Sequence, residues 1–83
     1  MELFYVYILF SAQLNKYYIG YTENVEGRLR KHLADHTGFT GKAKDWTIVF
    51  TQEFVGKESA MAREKQIKNW KSKKMIEQLI AKG

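Results

Sequence analysis

Five side chains of this sequence could together hydrolyse a phosphate ester. They are the phenols of Tyr7 and Tyr18, the guanidinium of Arg28, the imidazole of His32 and the carboxylate of Glu64. A phenol or an imidazole can orient or deprotonate water, a guanidinium binds phosphate through paired hydrogen bonds, and a carboxylate can hold a divalent metal ion. The set predicts a small phosphodiesterase, provided that the fold brings the five groups together.

Most of these residues also have an ordinary structural explanation. Tyrosines in strands commonly pack their rings against the core and leave the hydroxyl at the edge of the water. His32 lies beside an apolar stripe, where a hydrogen-bonded structural histidine is common, and Arg28 could be a surface charge. Taken singly, none of these residues establishes a catalytic site.

Glu64 fits a structural role less easily. On a helical wheel it lies between Ala60 and Met61, on the apolar side of its helix. An unpaired buried carboxylate costs several kcal/mol, so Glu64 needs a cation, a metal ion or a hydrogen-bonding shell. A salt bridge with Lys68 or with Arg28 would meet that need as well as a metal would.

The charge of the chain is uneven. Its 83 residues carry 14 Lys and Arg against nine Asp and Glu, a net charge of +5. Residues 57–83 hold eight of the basic and three of the acidic residues, so the surplus lies in the C-terminal third. A one-sided basic surface attracts polyanions, nucleic acid above all, although lysines can also serve only to solubilise a helix.

Composition narrows the class of protein further. The chain has no cysteine, which excludes disulfides and thiolate metal sites. No apolar run approaches the roughly 20 residues that span a bilayer. We therefore expect one domain over residues 1–83, located in the cytoplasm.

The elements that must position the five side chains follow from periodicity. Alternating apolar residues predict a strand at 2–10. The polar stretch after it predicts a hairpin with a returning strand at 17–21, and a third strand is predicted at 46–54. Asn24 can cap a helix that begins at Val25, and Arg28, His32 and His36 follow a four-residue spacing along it. A second helix from Glu58 or Ser59 to Trp70 and a third ending near Ile80 complete the pattern. We expect an α/β sandwich (α+β): a three-stranded antiparallel sheet flanked by three helices, in the order β-β-α-β-α-α.

The order of these residues resembles the GIY-YIG nuclease superfamily over nearly the whole chain. Tyr5-Val6-Tyr7 is similar to the first family motif and Tyr18-Ile19-Gly20 to the second, while Ala62-Arg63-Glu64 is similar to the helix with the metal-binding glutamate. Two departures are notable. Tyr5 stands where the motif name has glycine, and Asn69 is closer to Glu64 than the downstream asparagine of many members.

The resemblance implies a role for each site residue. Tyr7 would be the general base or the water-orienting phenol, and Tyr18 its partner at the scissile phosphate. Arg28 would bind that phosphate, His32 would poise the phenol, and Glu64 would hold one Mg²⁺ or Mn²⁺ ion. Because a tyrosine has a pKa near 10, positive charge from Arg28 and the metal should favour its phenolate.

The resemblance also implies a metal-dependent endonuclease acting on structured, nicked or branched DNA in repair or recombination. The residues expected to bind nucleic acid are Lys16, Lys68, Lys71, Lys73 and Lys74. Two alternatives remain open at this point. The chain could be a nucleic-acid-binding module of the same fold with little turnover, or an interaction domain of a larger repair assembly.

Overall fold

A three-stranded antiparallel sheet lies at the centre of the computed structural model, which describes residues 2–34 and 43–82. β1 (Leu3–Ser11) is the middle strand, between β2 (Lys16–Thr22) and β3 (Thr47–Val55). The predicted hairpin of the first two strands is confirmed. Each strand lies within one residue of its predicted bounds.

Three helices pack around the sheet: α1 (Val25–Ala34), α2 (Lys57–Trp70) and α3 (Lys73–Lys82). The predicted order β-β-α-β-α-α is therefore confirmed. α2 begins one residue earlier than predicted. Gly56, with φ 88° and ψ 150°, turns the chain from β3 directly into the helix without a side-chain cap. Within the described ranges, no helix is both long and apolar enough to cross a lipid bilayer.

The sheet separates two apolar layers. On the side of α2 and α3, the buried residues are Phe4, Val6, Ile8, Ile19, Ala60, Ile67 and Ile76. On the side of α1, they are Tyr7, Leu9, Ala43 and Trp46, with Val25 and Leu29 packed against them. Tyr7 thus faces away from Val6 and Ile8, as alternation along a strand predicts.

The buried stripe of α2 is narrower than the helical wheel predicted. Ala60 and Ile67 are fully buried, but Met61 is 42% exposed. The prediction that Met61 faces inward is wrong, because a helix resting on a sheet buries only the stripe in direct contact. Glu64 consequently lies at the border of this stripe.

Gly27 lies in the first turn of α1, although glycine is an unfavourable residue in a helix. The Oδ1 atom of Asn24 accepts a hydrogen bond from the backbone N–H of Gly27 at 3.0 Å, which confirms the predicted cap. A Cβ atom on Gly27 would lie 2.8 Å from Nδ2 of Asn24. The glycine therefore leaves room for the capping side chain, which fixes the start of the helix that carries Arg28.

A buried serine ties the β1–β2 turn to the segment before β3. The Ser11 hydroxyl donates to Oδ1 of Asp45 at 2.5 Å and accepts from the Leu14 N–H at 3.1 Å. The Gln13 N–H donates to Oδ2 of Asp45 at 2.8 Å. The Ser11 and Gln13 hydrogen bonds hold the pKa of the Asp45 carboxyl below its ordinary value.

We expect Ser11→Ala to lower the free energy of unfolding by about 1 to 3 kcal/mol at pH 7, because the Leu14 N–H and Asp45 lose their partner. The lowered pKa of Asp45 adds stability above its unfolded value, near 4, and that stability disappears as the pH falls through the folded value. Urea denaturation should therefore show a smaller difference between the two proteins at pH 3 than at pH 7. Ser59→Ala, at an exposed serine of α2, is the control; equal losses in both variants would contradict this account.

Candidate active site

A cleft of about 330 Å³ opens where β1, β2, α1 and α2 meet. Its lining residues are Phe4, Tyr7, Tyr18, Gly20, Tyr21, Thr22, Glu23, Arg28, Lys57 and Glu64. Phe4 and Tyr21 belong to the apolar layer beside α2, whereas Tyr7 and Tyr18 belong to the layer beside α1. Side chains from both faces of the sheet therefore line the cleft.

The structure brings four of the five predicted catalytic residues into this cleft: Tyr7, Tyr18, Arg28 and Glu64. The fifth, His32, belongs to α1, but its side chain lies outside the described residues, as does all of His36. Glu64 is 57 residues beyond Tyr7 in the chain, so only the folded sandwich can place the two together. Asn69 is exposed and is not among the described lining residues.

Strand register places the two tyrosines side by side. Tyr7 pairs with Gly20, and Tyr18 pairs with Leu9, so the tyrosines are diagonal neighbours on one face of the hairpin. Their ring centroids are 6.4 Å apart, with planes inclined at 31°. Tyr7 is only 2% exposed, so its ring is held by packing while it still contributes to the cleft wall.

Gly20 provides the space that the Tyr7 ring occupies. A Cβ atom at Gly20 would lie 2.5 Å from the Tyr7 Oη and 2.7 Å from its Cζ, far inside normal contact. The glycine of the second motif thus allows the phenol to lie across the neighbouring strand. Of the two explanations for a glycine in a strand, a bulge or a close approach, the close approach is the one observed.

We expect Gly20→Ala to cost about 1 to 3 kcal/mol of unfolding free energy, because the new methyl group must displace the Tyr7 ring. Tyr7→Leu removes the atoms that would collide. In a double-mutant cycle measured by urea denaturation, Gly20→Ala should therefore cost less in the Tyr7→Leu background. Equal costs in both backgrounds would show that the collision is relieved elsewhere.

Burial determines the ionisation of Tyr7. Loss of solvent, supported by the nearby Tyr18 and Glu64, raises the pKa of Tyr7 to about 12 even though the Arg28 guanidinium opposes the shift by its charge and its hydrogen bond to the phenol. The residues of the chain therefore keep Tyr7 a neutral phenol at neutral pH. Arg28 does lower the pKa of Tyr7, as expected, but burial raises this pKa by more.

Glu64 is half-buried at the α2 wall of the cleft. Its side chain is 19% exposed, and its Oε2 atom is 3.8 Å from Nζ of Lys68, whose side chain is 50% exposed. The salt bridge with Lys68 is thus present, one helical turn away, as one explanation of Glu64 requires. A pair this long and this open to solvent contributes little, so it does not by itself account for a carboxylate in the cleft.

The cleft is suited to a divalent ion such as Mg²⁺, which takes only one or two protein ligands, and not to a metal ion that is held by protein ligands alone. Among the described residues, no group of three or more His, Cys, Asp or Glu side chains could hold a metal. Mg²⁺ usually keeps several waters and takes one or two carboxylates plus phosphate oxygens of a substrate. The Glu64 carboxylate meets this requirement, and the Arg28 guanidinium and the Glu23 carboxylate line the same cleft.

Lys57 is a cleft residue that the sequence analysis missed. It is the first residue of α2 and lies two helical turns before Glu64, on the same face of the helix. The predicted start of the helix at Glu58 or Ser59 places Lys57 before the helix, where its spacing from Glu64 has no structural meaning. The seven-residue spacing from Glu64 is the signal that could have identified it.

The predicted nucleic-acid-binding lysines lie outside the described lining of the cleft. Lys68 is next to it, through its pair with Glu64. Lys73 donates a hydrogen bond from Nζ to the Asn15 carbonyl at 3.0 Å, so it contacts the turn between β1 and β2. Lys16, Lys71 and Lys74 are exposed.

Comparison with known proteins agrees with this arrangement. Residues 3–77 match the model of the GIY-YIG catalytic domain, a stretch that includes both tyrosine segments, Arg28 and Glu64. The chain belongs to the GIY-YIG catalytic domain family. The GIY-YIG domain is a nuclease-type fold, so the resemblance drawn from the sequence is confirmed at the level of the family.

Small GIY-YIG relatives align over almost the whole chain. A UPF0213 protein of Staphylococcus haemolyticus is 37% identical over 82 residues, covering 94% of this chain and 99% of the relative. A UPF0213 protein of Natronomonas pharaonis is 38% identical over 78 residues, covering 93% and 89%. The name UPF0213 specifies no activity or substrate. No solved structure is a significant match to the chain.

Proposed function

We propose that this GIY-YIG protein is a metal-dependent endonuclease that hydrolyses phosphodiester bonds in structured, nicked or branched DNA. The observation that carries the proposal is the convergence of Tyr7, Tyr18, Arg28 and Glu64 on one cleft. A cation that can bind phosphate, two phenols and a carboxylate that can hold a metal ion are groups with which phosphodiester hydrolysis can be catalysed.

Each side chain has a role consistent with its position. Arg28 binds the scissile phosphate and its developing charge through its exposed guanidinium. Tyr7, held neutral by burial, orients the attacking water through its hydroxyl. Tyr18, half-buried beside it, contacts the same phosphate from β2. For His32, the family resemblance alone implies a role, that of poising the phenol.

Glu64 would hold the divalent ion, Mg²⁺ or Mn²⁺. When bound, such an ion polarises the phosphate and stabilises the departing oxygen. The Lys68 ammonium, 3.8 Å from Glu64, competes for the same carboxylate. We therefore propose that Lys68 swings from Glu64 to the DNA backbone when the site is loaded, which its long stem and half-exposed position permit.

Affinity for DNA would come chiefly from the lysines of α2 and α3. Lys68 lies one helical turn from Glu64, about 6 Å along the axis of α2, which keeps it close to a backbone in the cleft, and Lys71 directly follows the last residue of the helix. Lys74 and Lys16 add further positive charge. The Lys73 ammonium also donates a hydrogen bond to the β1–β2 turn. Binding of this kind should fall steeply with salt.

A nucleic-acid-binding module with little turnover is the second candidate. The Glu64–Lys68 pair favours it, because a domain without a metal would also need a cation beside that carboxylate. The cleft itself favours the enzyme, since binding alone does not require a carboxylate facing phosphate.

The deciding experiment offers the purified protein labelled nicked, flapped, branched and linear DNA, with and without Mg²⁺. We expect cleavage that requires the ion and is lost in Glu64→Ala and Tyr7→Phe. Binding without cleavage would select the binding module. Equal cutting by the wild type and both variants would identify a contaminating nuclease and remove the support for catalysis.

A further inference from the structure

The cleft is longer than one phosphate group needs. Lys57 and Glu64 both line it, and two helical turns separate them, about 10 Å along α2. Neighbouring phosphates of a nucleic-acid strand are separated by one sugar unit, a distance shorter than this wall, so the wall can contact more than one of them. At this separation, Lys57 can bind a phosphate that neighbours the one beside Glu64.

A second hollow continues the cleft on the side of α1. It has a volume of about 220 Å³ and is lined by Thr22, Glu23, Asn24, Gly27, Arg28 and Lys31. Thr22, Glu23 and Arg28 line both hollows. The two form one path that passes Arg28 and has a lysine at each end, Lys57 on α2 and Lys31 on α1.

Two positive side chains, Arg28 and Lys31, line the hollow at the α1 end. The Gly27 N–H, at the start of α1, is already occupied by its hydrogen bond to Asn24. Lys31 follows Arg28 by three residues on the same face of the helix, so their two cations lie side by side. Glu23, at the junction of the two hollows, opposes them with one negative charge.

We propose that this path holds a polynucleotide strand, with the scissile phosphate at Arg28, a flanking phosphate on one side at Lys57 and one on the other side at Lys31. The inference rests on the proposed function and adds its substrate class: a strand with phosphates on both sides of the cleaved bond, not a mononucleotide or a dinucleotide. Lys57 and Lys31 are positioning residues, which hold the strand in register with the reacting groups.

Matched substitutions on the same helices provide the test. Lys57→Ala is compared with Lys65→Ala, and Lys31→Ala with Arg30→Ala; all four residues are exposed, but Lys65 and Arg30 are not among the described lining of either hollow. Each substitution removes one positive charge. A difference within a pair therefore reports position, not net charge.

The first measurement is binding to a labelled single-stranded oligonucleotide, without divalent ions, over a range of salt. We expect Lys57→Ala and Lys31→Ala each to weaken binding and to reduce the slope of log K against log salt by about 0.7, the loss of one phosphate contact. Lys65→Ala and Arg30→Ala should leave the slope unchanged. Glu23→Gln, which removes the opposing charge, should tighten binding.

The second measurement is cleavage of substrates in which one phosphate at a time is replaced by a neutral methylphosphonate. For the wild type, a neutral linkage on either side of the cleaved bond should slow the reaction. One of these two effects should vanish in Lys57→Ala and the other in Lys31→Ala.

Different results would contradict the strand path and the proposed nuclease function. If the wild type binds and cleaves DNA while Lys57→Ala and Lys31→Ala match their controls, the strand path is overturned and the nuclease proposal stands. If the wild type neither binds nor cleaves any of these substrates, the proposed function falls and the strand path falls with it.

Discussion

Replacing Glu64 with glutamine should lower the rate of Mg²⁺-dependent cleavage by at least about a thousandfold. A metal ion contributes several kcal/mol of transition-state stabilisation, and each 1.4 kcal/mol is worth about tenfold in rate. Glutamine keeps the shape of the side chain but removes the charge that would hold the ion. The rate should be measured with single-turnover kinetics over a range of Mg²⁺ concentrations.

Folding and DNA binding should survive this substitution. The pair that Glu64 makes with Lys68 is long and open to solvent, so its loss should change the unfolding free energy by no more than about 1 kcal/mol. Freed from the carboxylate, Lys68 should make DNA binding equal or tighter. Glu58→Gln, at an exposed carboxylate in the first turn of the same helix, is the control. Cleavage that is unchanged in Glu64→Gln would exclude this residue as the metal ligand.

We expect Tyr7→Phe to slow cleavage by about 100-fold to 1,000-fold, in the range that a positioned proton-handling group contributes. Phenylalanine preserves the ring that packs against Gly20 and removes only the hydroxyl. Burial raises the pKa of Tyr7 to about 12, so we expect Tyr7 to act as a neutral phenol between pH 6 and 9. The ratio of wild-type to Tyr7→Phe rates should therefore be the same at every pH in this range.

The alternative role for Tyr7 predicts a different profile. A phenolate acting as general base would become tenfold more abundant with each pH unit below its pKa, so the ratio would rise by that factor per unit. Comparing the two proteins cancels the titration of other groups, including metal-bound water. Tyr17→Phe, at the neighbouring tyrosine on the opposite side of β2, controls for loss of a hydroxyl elsewhere. A ratio of wild-type to Tyr7→Phe rates that rises with pH would show that Tyr7 acts as a general base and not only as a group that orients water.

The fold could be predicted from the sequence because its signals are local. In β1 the apolar residues at the even positions face one side, so the direction of Tyr7 followed from period two, and its bounds were predicted to within one residue. Asn24 marked the start of α1 through a side chain that can accept a hydrogen bond from the first turn. The exposed Met61 could not be predicted, because the width of a buried stripe depends on the surface beneath the helix.

Four residues that line the cleft could be selected from the sequence, but the ionisation of Tyr7 could not be predicted. The spacing of the motifs identified Tyr7, Tyr18, Arg28 and Glu64, since each stands at a fixed place in its own element. The raised pKa of Tyr7 results from how deeply the ring is packed, against which the charge of Arg28 is the smaller effect. Lys57 shares the cleft only because Gly56 starts α2 one residue earlier than its capping signals suggested.

The position of each strand in the sheet gives the two phenols unequal freedom. Tyr7 is on β1, whose amides are protected by ladders on both sides, whereas Tyr18 is on β2, which has a neighbour on one side only. Local opening of an edge strand breaks one ladder and leaves the rest of the sheet intact. The wall of the cleft that carries Tyr18 can therefore open locally, while the central strand keeps Tyr7 in place.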